Sequence, residues 1–181
     1  RYPEIDLELM LENRRVDLIA EGYDLAIRIG ELEDSNLVSK KLQQSNMKLF
    51  ASPEYLALSE KRGAALNQIS DLEQHKMLTM AIYPGISRIS LCGPGGDVEL
   101  EPKERVRIND LSSIRQLAID GMGVALIPTY MVNDALNVGQ LLPVLPDWGT
   151  PPVSYYLLYP SRRSMTPKLR AMIDFITEIA F

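Results

Sequence analysis

The chain has 181 residues, 46% of them hydrophobic and 24% charged, which is enough apolar material for one good core or two small ones and too much for a disordered chain. Its 19 lysines and arginines against 24 aspartates and glutamates leave a net charge of −5, so this stretch alone has no overall attraction to a phosphate backbone, and nucleic-acid binding by it is disfavoured. One cysteine, Cys92, and one histidine, His75, exclude an internal disulfide and most metal constellations and fit a reducing, cytoplasmic compartment.

No apolar run approaches the ~20 residues of a membrane span, and the opening RYPEIDLELM lacks the apolar core of a signal peptide. A start on Arg1 and not on Met is what an excised piece would show. In IDLELML, Ile5, Leu7, Leu9 and Leu11 alternate with other residues, the period of a half-buried strand. RRVDLIAEGY then predicts a short helix carrying Val16, Leu18, Ile19 and Ala20, closed by Gly22. With DLAIRI as a second strand, this makes a βαβ unit with parallel strands and a right-handed crossover.

NLVSKKL and NMKLFA follow as two extended segments with no helix between them, so the chain is expected to leave one sheet for another here. SPEYLALSE starts a helix with Ser52 as N-cap and Pro53 at the first helical position. HKMLTMA is a strand, YPG at 83–85 a turn, and RISLCGPGGDVELEP a β-hairpin about its glycines. A second βαβ unit is read from RVRI, LSSIRQLAIDG and VALIP; Leu111, Ile114, Leu117 and Ala118 share one helical face, Asn109 or Asp110 caps its start and Gly121 its end. LLPVLPDWGTPP is too proline-rich for a helix and reads as a crossing segment. A strand, VSYYLLY, and a helix begun by Thr166 and Pro167, with Leu169, Met172, Ile173 and Ile176 on one face, complete the pattern. The expected architecture is α/β, with lobe I at 1–45 and 151–181, lobe II at 46–150, and crossings near 42–46 and 145–152.

Catalytic chemistry finds little support. His75 is the only imidazole, at an expected helix end, and reads as structural or as a surface residue. There is no nucleophile elbow or P-loop, and GPGGD lies between strands and not at a strand-to-helix junction. Cys92 reads as a small apolar filler, the eight methionines and the SYYLLY aromatics as packing, and Glu31, Glu33 and Asp34 as a solvated loop. No metal site or cofactor is expected. What remains is a set of strand ends, where open α/β sheets place ligands. Arg28 and Gly30 end one strand, Thr79 and Met80 another, and Asn109 and Asp110 stand at a helix start suited to an anionic group. The competing reading makes Arg28 a solvent-side partner of Glu31 and Asn109 only a cap.

RYPEIDLELMLENRRVDLIAEGYDLAIRIGELEDSNLVSKKL, LFASPEYL, VRINDLSSIRQLAIDGMGVALIPTYM and SRRSMTPKLRAMIDFI, in this order and spacing, resemble the effector-binding domain of LysR-type transcriptional regulators, in particular the CrgA-like branch. The resemblance covers essentially the whole chain. It implies a type 2 periplasmic-binding-protein-like fold, two α/β lobes joined by two crossing strands around a small-molecule cleft, lacking here the family's first strand and helix. It implies effector contacts from Arg28, Gly30, Thr79, Met80 and Asn109, with Gly121 and Met122, beside Gly123, shaping a turn behind them. A side-by-side pairing would use Val16, Ile19 and Ala20 on one face and Ile114, Leu117 and Ala118 on the other. The expected partners are a small effector, anionic if Arg28 and the helix start serve it, and a second or further copy in a homodimer or homotetramer. DNA would be reached only through a helix-turn-helix outside this sequence, and no membrane is involved. The alternatives are a solute-binding protein of a transport system and, less supported, an enzyme on the same scaffold.

Overall fold

The computed structural model describes residues 1–32, 36–81, 88–101, 103–160 and 165–179. These form two compact units, one of Arg1–Ser45 with Val153–Phe181 and the other of Asn46–Pro152. The chain therefore enters the second unit once, at residues 45–46, and leaves it once, at 152–153.

The first unit is built on a three-stranded antiparallel sheet in the order β1 (Ala26–Ile29), β10 (Val153–Tyr159), β2 (Val38–Ser45). Helix α4 (Pro167–Ile179) covers one face of it, packing Leu169 and Ile173 against Leu42, Tyr155, Leu157 and Tyr159. Thr166 begins that helix, its Oγ1 accepting from the Leu169 N–H at 3.3 Å. Ile27 and Ile29 lie opposite Leu157 and Tyr155 in the register and so share their face, yet both are exposed. Arg28 and Ala26 lie on the other face and are half-buried.

The expected parallel βαβ unit at the start of the chain does not form. Residues 5–11 are not a strand, and Leu7, Leu9 and Leu11 are exposed. Alternation alone does not make a strand without a neighbouring ladder to satisfy its backbone. The helix expected over 14–23 shrinks to one turn. Asp17 Oδ1 accepts from the N–H groups of Ile19 and Ala20, as a cap does, while Gly22 already adopts φ 76° and the Tyr23 N–H closes back onto the Leu18 carbonyl at 2.9 Å. Start and stop signals lie too close together for a helix to propagate. β1 consequently pairs antiparallel with β10, from the far end of the chain.

The second unit holds a seven-stranded mixed sheet in the order β6 (Gly96–Leu100), β5 (Ile89–Gly93), β9 (Leu142–Gly149), β3 (Met47–Ala51), β8 (Val124–Pro128), β4 (Lys76–Met80), β7 (Lys103–Ile108). Here the expected βαβ unit is present: β7 and β8 both run parallel to β4 between them, joined by α2 (Leu111–Ile119). Alternate residues of the central strands feed two cores. Phe50, Leu78, Ala125 and Ile127 meet Ile114 and Ala118 of α2 on one face. Leu49, Met77, Val124 and Leu126 meet Leu72 on the other, with Tyr55 and Leu56 of α1 (Pro53–Lys61) packed alongside. Every residue of β8 is buried, as expected of a strand covered on both faces. Ser52 caps α1 with Pro53 in the first turn, and β5 and β6 form the expected hairpin around Pro94 and Gly95.

Most of the proline-rich stretch is strand β9, which ends three residues before the chain passes back to the first unit. Prolines are tolerated there because β9 pairs with β5 only through Cys92 and Gly149, and a bulge opposite Lys48 and Leu49, with Leu145 at φ 47°, shifts the register on its other side. Between β8 and β9 lie a 3-10 turn, Thr129–Met131, and a short helix, α3 (Asn133–Asn137), neither of them expected above. The YPG turn falls outside the described residues.

Candidate functional site

In the first unit, Arg28 directs its guanidinium along the chain and not outward to Glu31: Nη2 donates to the Val16 carbonyl at 3.4 Å, and the residue is half-buried. Among the described residues Arg28 forms no ion pair with Glu31, and its contact with the Val16 carbonyl is a weak one. Gly30 follows at φ 94°, and its N–H donates to the Ser154 carbonyl at 3.0 Å. That bond fixes where the chain leaves the sheet, immediately after Arg28.

In the second unit, Thr79 and Met80 end β4, and Met80 stands beside Ile108, the last residue of β7. Asn109 and Asp110 come next, so the structure brings these positions together at the carboxyl ends of β4 and β7. Thr79 is buried and its hydroxyl donates to Glu104 Oε1 at 2.8 Å. Glu104 in turn lies 3.9 Å from Arg107 Nε. Glu104 was not legible as a site residue: it sits three positions before Arg107 in a charged edge strand, and only the parallel pairing of β4 with β7 carries it to Thr79.

The helix start is not open to an anion in the way expected. The Asp110 carboxylate accepts from the Ser113 N–H at 2.7 Å and from the Ser113 hydroxyl at 2.6 Å. These bonds, and one from the Ser112 N–H, hold its pKa below the usual carboxylate range. The chain's own carboxylate therefore occupies the positive end of the α2 dipole.

Gly121 and Met122 are placed elsewhere. They precede β8, whose first residue, Val124, pairs with Met77, and a Cβ on Gly123 would stand 2.4 Å from the carbonyl oxygen of Lys76, the first residue of β4. This is the amino end of the strand, about 13 Å along β4 from Met80. Because β7 and β8 both run parallel to β4, the crossover through α2 starts at the carboxyl ends of these strands and finishes at their amino ends, so these two residues are not brought together with Thr79, Met80 and Asn109. The expected pairing residues also divide. Ile19 and Ala20 are exposed and Val16 is half-buried, whereas Ile114 and Ala118 are wholly buried in their own unit, with Leu117 packed beside them. The apolar face of α2 is used up by the sheet, and its outward face is polar, with Ser112, Ser113, Gln116 and Asp120.

His75 is structural. It is buried, its Nδ1 lies 3.2 Å from the Tyr55 hydroxyl, and that hydroxyl accepts from the Lys76 N–H at 3.1 Å. Burial lowers its pKa. Cys92 is a free thiol whose pKa is raised, mainly by a hydrogen bond with Asp97, its partner in the hairpin register. Among the described residues, no three histidine, cysteine, aspartate or glutamate side chains are grouped to hold a metal, and no helix is long and apolar enough to cross a membrane.

The family model described as LysR substrate binding domain matches residues 1–180. The chain belongs to the LysR substrate-binding domain family. An HTH-type transcriptional regulator of Xanthomonas campestris pv. campestris (strain 8004) is 32% identical over 180 residues, covering 97% of this chain and 51% of that protein. The full-length structure of AphB, a Vibrio cholerae virulence activator of the same family, superposes with a TM-score of 0.84 at 30% identity, over 99% of this chain and 60% of that one. The CrgA regulatory domain of Neisseria meningitidis, at 24% identity and a TM-score of 0.75 over 90% of this chain and 78% of that one, shares the fold. The domain thus has the type 2 periplasmic-binding-protein-like architecture of regulators, and HTH-type transcriptional regulators are among its curated relatives. It spans about half the length of the curated relatives that it matches.

Proposed function

We propose that this domain is the sensing part of a LysR-type transcriptional regulator and does no chemistry of its own. It binds a small effector and passes the change to a helix-turn-helix outside this sequence, in a cytoplasmic homodimer or homotetramer. The proposed effector contacts are Arg28 and Gly30 on the first unit and Thr79, Met80 and Asn109 on the second. Arg28 holds a carboxylate of the effector through its planar fork. Ile19 and Ala20, exposed on the first unit, are the pairing residues retained.

The observation that carries this reading is the match of the whole domain to a solved full-length regulator at a TM-score of 0.84. The absence of enzymatic chemistry is supported by His75, whose Nδ1 is spent on Tyr55. The effector acts by population shift, which requires it to bind two arrangements of the protein with different affinity.

Isothermal titration of the purified chain against a panel of small carboxylates, aromatics and quinones tests the proposal. A ligand that binds without being turned over is expected, and Arg28→Ala is expected to weaken a carboxylate ligand by about tenfold or more, the worth of a charge-assisted hydrogen bond. Undiminished affinity in Arg28→Ala would reduce Arg28 to scaffold. Turnover of the ligand would make the chain an enzyme.

A further inference from the structure

The sheet of the first unit has a face turned away from α4, and Arg28 stands on it. In the antiparallel register Arg28 lies opposite Tyr156, and Tyr156 in turn lies opposite Lys41, so the three form one row across β1, β10 and β2. Neighbouring strands are about 4.8 Å apart, which sets the Arg28 and Lys41 main chains about 10 Å from each other with Tyr156 between them. Leu158, two residues along the same face, is buried, whereas Tyr156 and Arg28 are half-buried and Lys41 is exposed. The cover over this face therefore stops short of the row. Beyond it, Ser154 opposite Gln44 is polar and uncharged.

Charge on this face is of one sign. The chain has 24 aspartates and glutamates, yet none lies in β1, β10 or β2. The segment that reaches Arg28 through the Val16 carbonyl carries Asp17 and Glu21, but Asp17 is engaged by the Ile19 and Ala20 N–H groups and Glu21 by Arg14. Glu31 follows Gly30, where the chain has already left the sheet. Lys40, the third cation of these strands, donates instead to Thr177 of α4 at 3.0 Å. Among the described residues, the Lys41 ammonium and the Tyr156 hydroxyl have no such partner.

We infer that this row is the first unit's effector surface and that it selects a flat aromatic dicarboxylate. The ring lies against Tyr156, one carboxylate is held by Arg28 and the second by Lys41. The inference deepens the reading of Arg28 as an effector contact and rests on it, adding Tyr156 and Lys41 as the residues that set the effector class. All three belong to one sheet, so the arrangement is complete within the first unit. Aromatic rings gain from offset stacking on one another, and a ligand with a single carboxylate would leave one end of the row without a counter-charge.

The test titrates the purified chain calorimetrically with benzene-1,4-dicarboxylate, benzoate and trans-cyclohexane-1,4-dicarboxylate. Benzoate lacks the second charge, and the cyclohexane compound lacks the flat ring. The aromatic dicarboxylate is expected to bind about three- to fivefold more tightly than either, the worth of an exposed ion pair in one comparison and of an aromatic contact in the other. Lys41→Gln should erase the advantage over benzoate and leave that over the cyclohexane compound; Tyr156→Leu should do the reverse. Lys41→Arg, which keeps the charge, should retain the parent's order. A merely structural role would weaken all three ligands alike. Lys41 is exposed, so its variants keep the test decisive should Tyr156→Leu fold poorly.

Equal binding of all three ligands by the parent, together with weaker benzoate binding in Arg28→Ala, overturns the inference and leaves Arg28 as an effector contact. An advantage that survives the variant meant to erase it also overturns it, because the preference then originates elsewhere. If Arg28→Ala binds all three as the parent does, or if the parent binds none of them, the inference falls together with the reading beneath it.

Discussion

Arg28 sits on the half-buried side of β1 while Ile27 and Ile29, its apolar neighbours, are exposed, so hydrophobic order along a strand is here a poor guide to which side chain has a task. Two glycines make the same point about backbone. Gly123 has ordinary φ but passes so close to β4 that a Cβ would stand 2.4 Å from the Lys76 carbonyl oxygen. Gly123→Ala is expected to cost about 2 kcal/mol by overpacking, read as a lower urea midpoint. Gly30 has open space around it but φ 94°, so Gly30→Ala should cost about 1 kcal/mol through backbone strain alone. Equal losses at the two positions would show that contact and strain are not separable here. His75 supplies a pH dependence. Burial holds its pKa below that of the unfolded chain, about 6.5, so the unfolded state binds the extra proton. The stability due to neutral His75 is complete above the unfolded value and is lost as pH falls below it towards the folded one. Denaturation midpoints should fall between pH 7.5 and pH 5.5, and His75→Gln should flatten that slope; an unchanged slope would assign it to other groups.

At the scale of the element, local signals succeeded where the element was long enough to use them. Ser52 and Thr166 cap α1 and α4 as the sequence suggests, and Gly121, at φ 74°, stops α2. The same signals, Asp17 and Gly22, are too close together to enclose a helix and enclose a turn. Asp110 is the cap with most consequence, because its carboxylate both starts α2 and fills the place an anionic ligand would take. Asp110→Ala is expected to destabilise the chain by about 1 kcal/mol, while Asp110→Asn, which keeps the accepting oxygen, should cost less. Thermal denaturation of the two variants checks the order. An Asp110→Ala variant as stable as the parent would mean that Ser113 finds another partner without loss.

For the whole molecule, the two units differ in how they are made. The second is one continuous stretch, Asn46–Pro152, with an apolar core on each face of its sheet. The first is assembled from both ends of the chain, and its sheet depends on β10 standing between β1 and β2. A fragment of residues 46–152 is therefore expected to fold alone, with cooperative denaturation and protected amides in β3, β4 and β8. Leu157→Ala, which empties a wholly buried position in the first unit, should cost about 2–5 kcal/mol, with the loss of amide protection concentrated in β1, β10, β2 and α4. A non-cooperative fragment would show that the second unit needs the first.

Most of the second unit was legible because its determinants are local: the caps, the glycine turns, the 3.6-residue face of α2 and the unbroken apolar run of β8 are each decided within about ten residues. The family could also be read from the order and spacing of its strings. What could not be read was anything set by a partner distant in the chain. Residues 5–11 have the pattern of a strand but no ladder, β1 is completed by β10 and not by its sequence neighbour, and β9 is a strand in spite of its prolines because most of its side towards β5 is unpaired. The candidate site follows the same division. Arg28 in the first unit and Thr79 and Asn109 in the second stand out as polar residues at strand ends, but Glu104 meets Thr79 only through the register of β4 with β7. Gly121 and Met122 stand apart from Thr79, Met80 and Asn109 because the crossover helix brings the chain back to the amino ends of the strands. Sequence by itself determined composition, local caps, periodicity and family; tertiary structure decided pairing, burial and hydrogen-bond partners, because each of those needs a second segment to be in place.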